Sequence, residues 1–123
     1  MATIRSYTTI EQSKVLAEIL PLESADMTYR PIMDIDSMSN SGFLNIPECY
    51  PFNEFKNCTI KPLPCWSLAA LLGVLPKGTR LLKSTIDDTY HCDCPKENID
   101  KWFDNPVDAC YEMIIKLHEL KLL

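Results

Sequence analysis

The sequence predicts an α+β fold, three helices packed on a small antiparallel sheet that includes a β-hairpin, and three observations carry that expectation. The stretch from Pro62 to Pro76 holds no charged residue and is closed by prolines at both ends. The stretch from Asn105 onward has the cap and the periodicity of an amphipathic helix. Between them, two runs that read as strands, Thr79–Ile86 and Thr89–Cys94, flank Asp87-Asp88. At 123 residues the chain suits a single globular domain covering 1–123.

The first helix begins at Thr8 or Thr9, since each has a capping-box partner three residues on, Glu11 for Thr8 and Gln12 for Thr9. On the helical wheel Glu11, Lys14 and Glu18 cluster on one side. Ile10, Val15, Leu16, Ala17, Ile19 and Leu20 cover most of the rest, so the helix docks on a core. Pro21 ends it near Leu20. No helical period is visible over residues 22–61. Short extended pieces are expected at Met27–Ile35 and Asn57–Lys61, with an exposed polar loop at Asp36–Gly42.

The charge-free stretch reads as the buried central helix, with both sides facing protein. It is too short to span a bilayer, which needs about 20 apolar residues. Its start is open between Pro64 at the first helical position and Ser67 as the cap. The first choice puts the Cys65 thiol in the first turn, and the second leaves it outside. Leu68, Leu71, Leu72 and Leu75 form one stripe, with Ala69, Ala70 and Gly73 opposite. Close packing against another element would justify Gly73, and Pro76 with Gly78 stops the helix.

The hairpin expected next pairs Thr79–Ile86 with Thr89–Cys94 around Asp87-Asp88. Tyr90, Cys92 and Cys94 then face the core, with His91 and Asp93 on the other side. Pro95 ends the second strand, and residues 96–104 read as a loop or short helical turn carrying Ile99, Trp102 and Phe103. In the last helix Asn105 caps, Pro106 takes the first position and Asp108 favours the dipole. Asp108, Glu112, Lys116 and Glu119 make a narrow polar stripe. The apolar remainder, Val107, Cys110, Tyr111, Met113, Ile114, Ile115, Leu117, Leu120 and Leu122, is wide enough to want partners on more than one side. Pairing with a second copy through this C-terminal helix, a homo-oligomer, is compatible with that width.

A net charge of −5 argues against electrostatic binding of nucleic acid. The N-terminus lacks a secretory apolar run and no segment reads as a membrane span, so a cytoplasmic location is expected. The six cysteines, Cys49, Cys58, Cys65, Cys92, Cys94 and Cys110, are then expected as free thiols.

Three blocks, Thr9–Met27, Pro64–Pro76 and Asp104 to the neighbourhood of Leu123, together resemble a family of small uncharacterised proteins carried by phages and mobile elements of gut Bacteroidales. The resemblance covers the first, middle and last helices. It implies a bacterial cytoplasmic or phage-encoded accessory protein, and it supplies no activity and no catalytic residues.

Two chemistries deserve weighing against plain packing. Cys49, Cys58, Cys65, His91, Cys92 and Cys94 are metal-ligand types, but only Cys92-Asp93-Cys94 is closely spaced, whereas structural zinc sites show such pairs twice. A Cys65–His91 nucleophile with Asp93 as orienter is opposed by the apolar neighbourhood of Cys65, which raises a thiol pKa. His118 is placed in the apolar face of the last helix near Tyr111 and Ile114, as a hydrogen-bonded core or interface residue. Trp66, Trp102 and Phe103 are read as core plugs. No phosphate loop, basic stripe or serine elbow occurs. No catalytic, cofactor-binding or metal residue is assigned and no cofactor is expected. The leading expectation is a non-enzymatic interaction protein that binds a protein partner through residues 22–61 or an exposed part of the last helix. The alternative is a small cysteine- and histidine-based metal protein or enzyme. A third reading, an acidic surface that mimics nucleic acid, would need the negative charges gathered on one face.

Overall fold

The computed structural model describes residues 5–31, 43, 46–49 and 62–123. Its elements are α1 (Ile10–Ile19), a 3-10 turn (Leu22–Ser24), β1 (Met27–Tyr29), β2 (Leu63–Cys65), α2 (Leu68–Val74), β3 (Arg80–Lys83), β4 (Tyr90–Cys94), β5 (Glu97–Asn98) and α3 (Pro106–Glu119). The fold is α+β, with three helices and two small antiparallel sheets, β1-β2 and β3-β4-β5. The chain divides into two compact units, Thr8–Ser67 and Met1–Tyr7 with Leu68–Leu123. No helix among the described residues is long and apolar enough to cross a membrane.

In the Thr8–Ser67 unit, Thr9 is the cap that α1 uses. Its hydroxyl accepts from the Gln12 amide at 3.1 Å, and the Gln12 side chain accepts from the Thr9 amide at 3.0 Å, so two orphan donors are satisfied reciprocally. The helix stops ahead of Pro21, with Leu20 as its C-cap. Ile10, Ser13, Leu16 and Leu20 are buried and α1 packs on β2. Val15, expected on the docking face, is exposed, because a buried Ser13 takes part of that face instead.

β1 and β2 pair antiparallel in the register Met27↔Cys65, Thr28↔Pro64, Tyr29↔Leu63. The first part of the charge-free stretch is therefore a strand, and Cys65 lies outside any helix. Pro64 is tolerated there because Thr28 opposite it spends its own amide and carbonyl on Glu48, at 2.9 and 2.8 Å. The pair Thr28↔Pro64 is thus one that exchanges no hydrogen bond, and the missing proline N–H is not needed. The expected strand at Met27–Ile35 is realised over Met27–Tyr29, with an isolated bridge from Pro31 to Phe43. The loop expected at Asp36–Gly42, except its neighbour Phe43, and the strand expected at Asn57–Lys61 lie outside the described residues.

In the other unit, α2 corrects the expectation of a helix hidden on every side. Leu71 is fully buried, yet Leu72 is 36% exposed and Ala69 and Gly73 face solvent. A Cβ placed on Gly73 would meet nothing within 4 Å, so close packing does not explain that glycine. The innermost helix of this unit is α3, which buries Pro106, Val107, Ala109, Cys110, Met113, Ile114 and Leu117 and packs on both α2 and β4. Lack of charge marked a helix that could be covered; the wide apolar face of α3 marked the one that is.

α3 begins as expected: the Asn105 side-chain Oδ1 accepts from the Val107 amide at 2.8 Å and Pro106 takes the first position. Arg5 ties the N-terminal strap to the first turn through Asp108 at 2.6 Å. At the other end Lys121 adopts φ 59°, with the Lys121 amide bonded to the His118 carbonyl at 3.0 Å and the Leu122 amide to the Leu117 carbonyl at 2.8 Å. This is a Schellman closure with lysine where glycine is usual. Leu120 and Leu122, expected on the apolar face, are exposed beyond it, and so is His118, which corrects its placement in the core.

The hairpin forms in the register Arg80↔Asp93, Leu81↔Cys92, Leu82↔His91, Lys83↔Tyr90. Its first strand ends at Lys83, three residues short of expectation, because residues 84–89 make a hydrogen-bonded loop instead of a tight Asp-Asp turn. The segment expected as loop or helical turn supplies β5, paired through Asp93↔Asn98 and Cys94↔Glu97, and a bridge from Phe103 to Tyr90. Gly78, at φ 89°, carries the turn into β3, and a Cβ there would meet the Pro95 ring at 3.0 Å.

Candidate functional site

Cys65 belongs to the Thr8–Ser67 unit, whereas His91, Cys92, Cys94 and Cys110 belong to the other. Cys49 is exposed and Cys58 lies outside the described residues. Among the described residues no three His, Cys, Asp or Glu side chains converge as they would around a metal ion.

Cys65 sits in a buried polar knot centred on Thr8. The Thr8 hydroxyl lies 2.8 Å from the Ser13 hydroxyl and 3.6 Å from the Cys65 sulfur, and it accepts from the Trp66 amide at 3.2 Å. Tyr29 donates its hydroxyl to the Thr8 carbonyl at 2.8 Å. Trp66 is fully buried, as expected, and its indole donates to Ser24 at 2.9 Å. Burial outweighs the hydrogen bonds from Thr8, Ser13 and Tyr29 and pushes the Cys65 thiol up. A thiol so placed stays protonated at neutral pH and makes a poor nucleophile.

Cys92 and Cys94 face the core from β4. The neighbouring Cys92 side chain, together with burial, pushes the Cys110 thiol on α3 up. The alternation along β4 turns His91 the opposite way. Its Nδ1 donates to the Lys101 carbonyl at 3.1 Å, and its ring stacks on Trp102 with centroids 5.1 Å apart.

This outward face is the candidate site. Trp102, expected in the core, is 44% exposed; Leu82 stands beside His91 in the register, and Ile86 at the hairpin tip is 93% exposed. Leu82, Lys83, Ser84, Thr85, Ile86, Asp87, Thr89 and Trp102 line an open groove of about 570 Å3. The loop that presents Ile86 is held from both sides. Ser84 accepts through its hydroxyl from the amides of Ile86 and Asp87, at 3.1 and 3.3 Å, and Asp87 accepts from the amide and hydroxyl of Thr89, at 3.2 and 2.5 Å. The Thr89 hydroxyl above all holds the Asp87 carboxyl below its ordinary range, so the groove carries a fixed negative charge. Arg80 pairs with Asp93 at 2.5 Å on the same face of the sheet.

The arrangement offers aromatic and aliphatic contact area beside charged groups, Asp87 and Lys83, which is the chemistry of a docking surface. One signal in the sequence pointed here: Ile86 is a lone large apolar residue in a polar run that ends in Asp87-Asp88. Comparison with protein families, with curated proteins and with solved structures finds no match for the chain.

Proposed function

We propose that the protein is a non-enzymatic accessory protein of a phage or mobile element that works by binding another protein through the outward face of the β3–β4 hairpin. The carrying observation is the joint exposure of Leu82, Ile86 and Trp102 around a groove whose loop is held by its own hydrogen bonds. A pre-formed loop costs less to order on binding. The surroundings define the partner's chemistry. Asp87 and Asp88 at the tip call for a basic group on the partner, and Lys83, which lines the same groove, for an acidic one, on either side of an apolar side chain. The net charge of −5 favours the basic group at longer range. The phage setting rests on the resemblance of the three helical blocks.

The test is paired capture. Native protein and the variants Trp102→Ala and Ile86→Ser are immobilised and exposed to an extract of host cells. A protein held by the native chain and lost by both variants is then purified and titrated. Its Kd should weaken by roughly tenfold or more on Trp102→Ala, as for a buried aromatic anchor, and should weaken further with added salt. If every retained protein survives both substitutions, or if none is retained, the reading fails.

A further inference from the structure

We infer that the outer edge of β3 pairs with the same edge of a second copy of this chain, about a two-fold axis at Leu82. The reading above concerns the face of the sheet, whereas this inference concerns its edge, and either can hold without the other. In the order β3-β4-β5, β3 is the outer strand, and among the described residues it pairs only with β4. The Ser84 amide bonds to the Thr89 carbonyl at 2.9 Å, so by antiparallel alternation Leu82↔His91 and Arg80↔Asp93 are the other pairs that exchange hydrogen bonds. The amides and carbonyls of Leu81 and Lys83 therefore point outward, away from β4.

A strand edge of this kind is a template for another strand, and its own side chains select the occupant. With Leu82 on the axis, Leu81 of one copy stands opposite Lys83 of the other. Both outward amides and both outward carbonyls then find partners across the seam. Leu82, 38% exposed in the single chain, meets its own counterpart in the close pair that exchanges no hydrogen bond. No like charges are opposed, since Lys83 faces Leu81 and Arg80 faces Ser84.

Charge along the edge is self-complementary as well. Lys77 and Arg80 lie at one end of β3, and Asp87 and Asp88 lie in the loop beyond the other, all exposed. The two-fold sends the basic end of each copy toward the acidic end of its mate. A basic heterologous strand would satisfy only the acidic end and leave Lys77 unanswered, which favours a second copy. Pairing in this register would also set two Leu82–Trp102 faces side by side on one continuous sheet.

Sedimentation equilibrium of the full chain, from low micromolar to near-millimolar concentration, tests the inference. The mass should rise from the 14.1 kDa monomer toward twice that value. Leu82→Glu places two carboxylates on the axis, and Lys83→Pro removes an outward N–H without taking a bond from β4. Each should move the half-association concentration upward by roughly tenfold or more, with far-UV circular dichroism confirming that the monomer stays folded. Added salt should weaken association of the native chain. A monomer at every concentration overturns the inference, and so does a dimer that both variants leave intact. Neither result bears on the capture assay.

Discussion

The Thr8 knot makes a sharp prediction, because one fully buried hydroxyl serves three neighbours. Thr8→Val keeps the shape of the side chain and deletes only that hydroxyl. Thr8 is fully buried, and its hydroxyl oxygen accepts from the Trp66 amide while sharing a hydrogen bond with Ser13. Without it the Trp66 N–H is left unpaired and buried, which costs about 1–3 kcal/mol. The Ser13 hydroxyl loses its partner, adding about 1 kcal/mol. A total near 2–4 kcal/mol is expected for Thr8→Val, against roughly 1 kcal/mol for Thr8→Ser, which sacrifices a methyl and keeps the oxygen. Urea unfolding followed by tryptophan fluorescence in a Trp102→Phe background follows the surroundings of Trp66, which is then the remaining tryptophan. Adding Ser13→Ala to Thr8→Val should recover part of the loss, because one of the two orphaned groups is removed. If Thr8→Val costs less than Thr8→Ser, the hydroxyl is not what holds Trp66 in place and the reasoning is wrong.

Other consequences can be checked with simple assays. Lys121→Gly should stabilise the chain by about 1 kcal/mol in thermal or urea unfolding, since glycine accepts the left-handed turn that closes α3 without a Cβ penalty. Gly73→Ala should also stabilise, by about 0.5–1 kcal/mol, because the added methyl meets open space and alanine is the better helix former; a loss of stability would restore the close-packing explanation. Asp87 has a folded-state pKa below its ordinary value, so its contribution is present above the usual carboxylate range and is lost as pH falls through the lowered value. The Thr89 amide resonance should report that loss during acid titration, and Asp87→Asn should flatten its pH dependence. Brief alkylation of the native chain, mapped by mass spectrometry, should modify Cys49 and spare Cys65, Cys92, Cys94 and Cys110, with all of them reacting once the protein is unfolded.

Local chemistry was legible in the residues. The Asn105-Pro106 start of α3, the stop before Pro21 and the inward turn of Cys92 and Cys94 are each settled within a few residues by capping, proline geometry or strand alternation, and the start of α1 was narrowed to Thr8 or Thr9, of which the structure uses Thr9. The α+β class followed from the same signals. Burial was less legible. Ser13 lies inside because the Thr8 hydroxyl is there to pair with it, and Trp102 lies outside because β5 and the Phe103 bridge carry the chain along the edge of β4.

What the amino-acid order determined alone is therefore where α1 ends, where α3 begins and which side of β4 faces inward, since those depend on groups a few bonds apart. Tertiary structure decided the rest: that Leu63–Cys65 pairs with β1 instead of extending α2, that α3 and not the uncharged α2 lies innermost, and that Leu82, Ile86 and Trp102 remain in water. An apolar side chain is buried only if some distant segment arrives to cover it, and no local pattern records whether one does.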